Sequence, residues 1–169
     1  ILAQMVTRGA VPAALIFDGG HGTGKTTTAR ILAAALNCEA GPAPAPPPCA
    51  ACVSCKAVAD GTSLDVVEID AASNGLVDDI RALRSQIQYA VGGRTRVVIL
   101  DEAHSMSAAA FNALLKTLEE PPPATVFVLL TTEPGRIPDT VASRCTPFTF
   151  RHIAVADITA RLHHICATE

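Results

Sequence analysis

The chain has 169 residues, a formal net charge of −3, 49% hydrophobic residues and 4% aromatics with no Trp. That length accommodates one domain with a real core and excludes two comfortable ones. The near-neutral charge excludes a nucleic-acid footprint spread over the whole chain, leaving a local patch or a surface shared within an assembly.

A core of Ala, Val, Leu and Ile with few rings suits a buried parallel sheet covered by helices. Taken in order, Ile1 to Thr7 is apolar and reads as a helix, which Gly9 to Pro12 breaks before a first strand at Ala13 to Phe17. A helix-forming run from Thr27 to Leu36 aims Ile31, Leu32 and Leu36 at a core. Gly41 to Pro48 then holds five prolines in eight residues. That composition forbids a helix or an interior strand and makes the segment a spacer into or within an insertion. Leu64 to Ile69 is a strand by its β-branched content and alternation, and Asp70 to Asn74 reads as a loop. Val77 to Val91 places Ile80, Leu83 and Ile87 on one helical face. Arg96 to Leu100 is a central strand that ends at Asp101-Glu102. Ala108 to Glu120 spaces Phe111, Leu114, Leu115 and Leu118 as a helix does and stops at Pro121-Pro122-Pro123. Thr125 to Leu130 is another buried strand, and Thr146 to Phe150 a short last one.

Alternating strands and helices predict an α/β fold, a parallel sheet with helices on both faces. Such sheets bind ligands at the carboxyl ends of their strands, which is where the motifs are expected to fall. No stretch approaches the length of a membrane span, and Ile1 to Val11 lacks the pattern of a signal peptide, so a cytoplasmic protein is expected. The chain opens without Met and closes on Cys166-Ala167-Thr168-Glu169 with helical sequence still running, which reads as an excised piece of something longer.

The first motif is Gly19-Gly20-His21-Gly22-Thr23-Gly24-Lys25-Thr26, set between an apolar strand and a helix. It has the pattern and context of a P-loop. Its glycines let successive backbone N–H groups and a helix N-terminus point at a polyphosphate. Lys25 is expected to reach the terminal phosphates, and the Thr26 hydroxyl to ligate Mg²⁺. A Gly-rich turn of no function has no reason to place Lys-Thr at the helix start. The second motif is Val97-Val98-Ile99-Leu100-Asp101-Glu102. Here Asp101 is expected to hold Mg²⁺ through water, and Glu102 to polarise the water that attacks a γ-phosphate. An Asp-Glu pair after a strand is common as plain helix-start charge, and it gains its weight from the P-loop. Asp-Glu-Ala-His also resembles a helicase box, but no other helicase motif accompanies it.

Thr131 and Thr132 end a strand, where either strand-end capping or γ-phosphate sensing accounts for them. Arg144, in Ser143-Arg144-Cys145, has two readings: a partner for a local carboxylate, or an arginine finger offered to a neighbouring subunit's nucleotide. Arg81 and Arg84 read as a solvated helix face rather than a nucleic-acid contact, given Asp78 and Asp79 in the same first turn.

Cys38, Cys49, Cys52 and Cys55 make two C-x-x-C steps sharing Cys52, with a ten-residue gap behind them. Four thiolates at such spacing suit tetrahedral Zn²⁺. Disulfides, a redox C-x-x-C and an iron–sulfur cluster are the competing readings. Four cysteines leave no open position, so the metal is read as structural, serving a Pro-rich insertion with little core of its own. Cys145 and Cys166 carry no assigned chemistry.

These residues resemble the nucleotide-binding domain of the bacterial DNA polymerase III gamma/tau family, ATPases of the clamp loader. The resemblance lies in Gly24-Lys25-Thr26-Thr27-Thr28-Ala29-Arg30 with Leu36-Asn37-Cys38, the cysteine cluster, Ile69-Asp70-Ala71-Ala72-Ser73, Asp101-Glu102-Ala103-His104, Phe111 to Pro122, and Ser143-Arg144-Cys145. It implies a P-loop NTPase fold of the AAA+ type, a three-layer α/β/α sandwich with a small zinc-binding insertion. It assigns residues 1–150 to the nucleotide-binding domain, 38–60 within it to the zinc insertion, and 151–169 to the start of a truncated helical lid. The family loads a ring-shaped sliding clamp on primed DNA with ATP. The implied partners are therefore other clamp-loader subunits in a hetero-oligomer, the clamp, the polymerase core and primed DNA, with no membrane. Gly19, Gly22, Gly24, Lys25, Thr26, Thr27 and Asp101 would bind ATP and Mg²⁺. Glu102 would be the base, Thr132 the sensor and Arg144 the finger in trans, with the four cysteines on Zn²⁺. Gly20 and His21 depart from the family, which commonly has Pro and a basic residue there. A non-hydrolysing scaffold subunit, or another oligomeric ATPase that remodels DNA, stands as the alternative.

Overall fold

The computed structural model describes residues 1–40, 48–74, 77–87 and 94–168. Five strands, β1 (Ala14–Gly19), β2 (Val66–Asp70), β3 (Arg96–Asp101), β4 (Thr125–Thr131) and β5 (Thr146–Phe150), form one parallel sheet in the order β2-β3-β4-β1-β5. The apolar runs of the sequence become the three central strands, and β4 is buried along its whole length. Pro147, which has no N–H to give to a ladder, sits in β5 at one edge, the place in a sheet that tolerates it.

Side chains alternate across the pleat and divide the core in two. Ile16, Val98, Leu100, Phe127 and Leu129 face one layer of helices, α5 (Val77–Ile87), α6 (Ala108–Glu119) and the short α7 (Asp139–Ala142). Leu15, Phe17, Val97, Ile99, Val128 and Leu130 face the other, α2 (Lys25–Leu36) and α3 (Val53–Ala59), with α1 (Leu2–Thr7) packed at its margin. Burial of each large side chain stabilises the sandwich by about 1.5–3 kcal/mol relative to exposure. The last helix, α8 (Val155–Thr168), turns Ile158, Leu162 and Ile165 outward as an exposed stripe. No helix among the described residues is long and apolar enough to cross a membrane.

Three expectations are corrected. Asp70 to Asn74 is not a loop: Asp70 accepts the Ala72 N–H at 2.9 Å and the Ser73 hydroxyl at 2.8 Å, which caps a single helical turn, α4 (Ala71–Asn74). Ile31 does not reach the core and is 50% exposed, whereas Leu32, Ala33 and Ala34 are buried. The insertion, expected to have little core of its own, shares the domain's: Cys52 caps a helix, α3, whose Cys55 and Val58 join the core beneath α2. The Pro-rich spacer falls on residues 41–47, outside the described residues, as does the end of the helix expected to reach Val91. Ile80, Leu83 and Ile87 are buried as expected.

Candidate nucleotide site and cysteine centre

The loop after β1 is built by glycine where nothing else fits. A Cβ on Gly19, at φ +151°, would lie 2.3 Å from the carbonyl oxygen of Phe150, so only glycine lets β1 and β5 stay paired up to the loop. Gly22 and Gly24 adopt φ of +73° and +92°, the left-handed conformation that curls the backbone before α2. The side chain of Lys25 turns back into this curl and is only 6% exposed. Its Nζ donates to the carbonyls of Gly19 at 2.8 Å and Gly20 at 2.9 Å. A buried ammonium held by two neutral acceptors has unspent capacity for an anion at the same spot. Thr27 is exposed on the first turn of α2. A Cβ on Gly20 would meet Cε1 of His152 at 2.9 Å, so the exposed His152 leans over the loop.

Across the crevice, β3 ends where β1 does. The Thr26 hydroxyl donates to Asp101 Oδ2 at 2.9 Å, joining residues 75 apart in sequence, and the other Asp101 oxygen accepts the Glu102 N–H at 2.8 Å. Thr26 and Asp101 thus form the paired oxygen donors expected of a Mg²⁺ site. A cleft of about 600 Å³ lined by Glu68, Asp70, Ala72, Asp101 and Glu102 opens beside them. On its rim Glu68 accepts two hydrogen bonds from Arg30, at 2.7 and 2.9 Å, which raise the arginine pKa above its ordinary value.

Glu102 adopts φ +49°, ψ +41°, uncommon for a residue with a side chain. Its carboxylate lies 3.3 Å from Nε2 of His104, which is buried. The other ring nitrogen of His104 lies 3.2 Å from the hydroxyl of Thr131, a side chain with no exposure at all. Thr131 also accepts the Glu133 N–H at 3.0 Å, which is the strand-end capping the sequence allowed for. Thr132 follows β4 and is half-buried. Sequence reasoning gave His104 no role, although the Asp-Glu-Ala-His string contained it.

Arg144 does not join this group, and the expectation that every motif falls at a carboxyl strand end is corrected. Thr146 pairs with Leu15 and Phe150 with Gly19, so Arg144 precedes the amino end of β5, at the end of the sheet away from the loop. It bonds Glu119 at 2.6 Å and the Thr140 carbonyl, which satisfies the local-carboxylate reading, yet it stays 36% exposed. Arg81 pairs with Asp78 on an exposed face, as anticipated.

The four cysteines converge. The Sγ atoms of Cys38, Cys49, Cys52 and Cys55 all lie within 4.8 Å of one another, and none forms a disulfide. Tetrahedral zinc with Zn–S bonds of ~2.3 Å spaces its sulfurs about 3.8 Å apart, so the donor set fits with little movement. Backbone amides favour thiolate at three positions: those of Cys49 and Ala40 lower the pKa of Cys38, those of Ala51 and Cys52 that of Cys49, and those of Cys55 and Glu39 that of Cys52. Burial against α2 instead pushes Cys55 up to about 12. A cation among them would supply the charge that this buried sulfur lacks.

A family model described as "DNA polymerase III, delta subunit" matches residues 1–154. The tau subunit of DNA polymerase III from Bacillus subtilis is 49% identical over 157 residues, 92% of this chain and 28% of that protein. The tau subunit from Escherichia coli is 44% identical over 169 residues, 99% of this chain and 26% of that protein. The gamma/tau subunit from Mycobacterium bovis is 46% identical over 171 residues and is covered to 29%. The chain therefore spans little more than a quarter of these relatives. Among solved structures, a DNA polymerase III gamma subunit-related protein from Thermotoga maritima superposes with a TM-score of 0.59 at 21% identity, covering 93% of this chain and 48% of the other. The RuvB Holliday junction branch migration motor of the same organism gives 0.53 at 18%, over 89% and 41%. These two likenesses concern the fold, an α/β sheet of the AAA+ P-loop type. With its P-loop, its acidic strand end and its four cysteines in a sequence matched from residue 1 to 154, the chain belongs to this family of DNA polymerase III subunits and groups with its gamma/tau members.

Proposed function

We propose that this chain is the ATP-hydrolysing motor unit of a bacterial clamp loader, acting with related subunits to place a sliding clamp on primed DNA for DNA polymerase III. The observation that carries the reading is the contact of Thr26 with Asp101 at 2.9 Å beside the buried Lys25. Residues 1–150 form the nucleotide-binding domain with a zinc-binding insertion at 38–60, and 151–169 begin a helical lid. The protein works in the cytoplasm as part of a hetero-oligomer.

In the reaction, the N–H groups from Gly19 to Gly24 and the start of α2, including Thr27, cradle the phosphates. Lys25 exchanges the Gly19 and Gly20 carbonyls for phosphate oxygens and neutralises their charge. Thr26 and, through water, Asp101 would hold Mg²⁺, which would supply Lewis-acid polarisation of the bound phosphates. Glu102 orients a water in line with the γ-phosphorus and takes its proton as the new P–O bond forms. The bond to the β-phosphate oxygen breaks, and ADP and phosphate leave. Thr132 senses the γ-phosphate from the end of β4. Arg144 serves the site of a neighbouring subunit. Cys38, Cys49, Cys52 and Cys55 would hold structural zinc, which would fix α3 on α2.

A scaffold subunit that never hydrolyses ATP has no physical need for an intact Gly24-Lys25-Thr26 joined to Asp101, and a branch-migration motor has none for four clustered thiols. The deciding experiment is ATP turnover by the full-length protein assembled with its partner subunits, with and without clamp and primed DNA. Strong stimulation only when both are present is expected. Turnover indifferent to both would discard the clamp-loading role. Lys25→Ala should abolish loading while assembly persists, and unchanged loading would refute the phosphate-loop assignment.

A further inference from the structure

We propose that His104 is a positioning residue for Glu102, and that Glu133 competes for the same imidazole N–H, so that the end of β4 governs whether the general base is held or free. The proposal rests on the hydrolytic reading above.

The proton arrangement follows from burial. Thr131 has no exposure, and its hydroxyl already accepts the Glu133 N–H at 3.0 Å. Its own proton needs an acceptor, and Nδ1 of His104 lies 3.2 Å away. Donation by Thr131 to Nδ1 leaves the proton of a neutral imidazole on Nε2. A buried Nε2–H needs an acceptor in turn. Two carboxylates offer themselves: Glu102 Oε2 at 3.3 Å and Glu133 Oε1 at 3.5 Å.

One donor between two acceptors defines two arrangements. When the N–H engages Glu102, the base is held against the ring. When the N–H engages Glu133, Glu102 is released toward water and substrate. Glu133 follows directly on Thr131 and Thr132 and is drawn outward by Arg136 Nη1 at 3.5 Å. Any movement of the β4 end that brings Glu133 onto His104 therefore frees Glu102. A histidine present only to fill the core would have no reason to present its N–H to the catalytic carboxylate.

The test uses the full-length protein assembled with its partners, stimulated by clamp and primed DNA. His104→Ala is expected to change kcat by about 10- to 100-fold, the range of a misplaced catalytic group, with KM for ATP and nucleotide affinity within about threefold. His104→Gln, whose amide N–H can stand where Nε2–H stands, should recover most of that change. Thr131→Val, nearly isosteric, removes the hydroxyl that fixes the tautomer and should move kcat in the same sense, which keeps the test open if His104→Ala fails to fold. Equal kcat for wild type, His104→Gln and Thr131→Val with Glu133→Gln also silent would overturn the proposal, as would a His104→Gln no better than His104→Ala. Glu102→Gln separates the two readings. If it leaves turnover intact, the hydrolytic assignment has failed; if it abolishes turnover while the histidine and threonine variants are silent, only this inference has.

Discussion

Replacing Arg144 with Ala removes a guanidinium that the structure ties to Glu119 and the Thr140 carbonyl at the surface. The pair is 36% and 49% exposed, so its loss should cost no more than about 1 kcal/mol of stability. Its distance from the chain's own site is set by the sheet. The four steps from Thr146 to Phe150, at ~3.3 Å each, already separate it from the loop by about 13 Å, before the residues on either side are added. That exceeds the length of a side chain, so Arg144 cannot complete its own P-loop. If it completes a neighbour's, its removal should slow hydrolysis there by about 10³- to 10⁵-fold, or about 4–7 kcal/mol of transition-state stabilisation. The assay is single-turnover hydrolysis in assemblies mixing Arg144→Ala subunits with subunits carrying Lys25→Ala, so that each active site is flanked by a known neighbour. ATP binding at the mutated subunit should be unchanged, and its neighbour should lose hydrolysis. Loss confined to the mutated subunit's own site would refute the geometric argument, and no loss anywhere would refute the role in a neighbour's site.

Cys52→Ser should leave less than one equivalent of zinc per chain by metal analysis and lower the thermal midpoint, since structural zinc contributes on the order of 10 kcal/mol in small zinc modules; a stoichiometric zinc content would count against the four-thiolate site. Gly19→Ala drives a Cβ to 2.3 Å from a backbone oxygen and should destabilise the domain by at least about 2 kcal/mol in urea unfolding, whereas Gly20→Ala meets only the movable end of His152 and should be nearly neutral. Burial raises the Cys145 thiol to about 11. Because the folded-state value lies above that of a free thiol, this contribution to stability is complete below about pH 8.5 and is lost as pH rises through 11. Iodoacetamide at pH 8 should accordingly label the exposed Cys166 quickly and Cys145 only on unfolding, and equal labelling rates by mass spectrometry would show that Cys145 is not buried.

The phosphate loop, the acidic strand end and the cysteine set were legible in the residues because their chemistry depends on spacing along the chain. Gly24-Lys25-Thr26 must be contiguous to start a helix on a phosphate, and a C-x-x-C step brings two sulfurs to one metal whatever surrounds them. The strands were legible because a short, β-branched apolar run such as Val97 to Leu100, closed by charged residues, suits a strand buried on both faces. Local hydrogen bonding is also legible at Asp70, whose carboxylate caps the turn Ala71–Asn74.

What the linear order could not express is who faces whom across the sheet. The strand order and register place Asp101 against Thr26 and leave Arg144 at the amino end of the strands, away from the loop. Periodicity says that Thr131 and Thr132 point in opposite directions, but only packing decides that Thr131 is the buried one and meets His104. The amino-acid sequence by itself determined the chemical groups and their local backbone, since both follow from neighbours within a turn or a strand. The tertiary structure decided which of those groups share a site, because that depends on the lateral pairing of strands, and a parallel sheet joins residues that the chain keeps far apart.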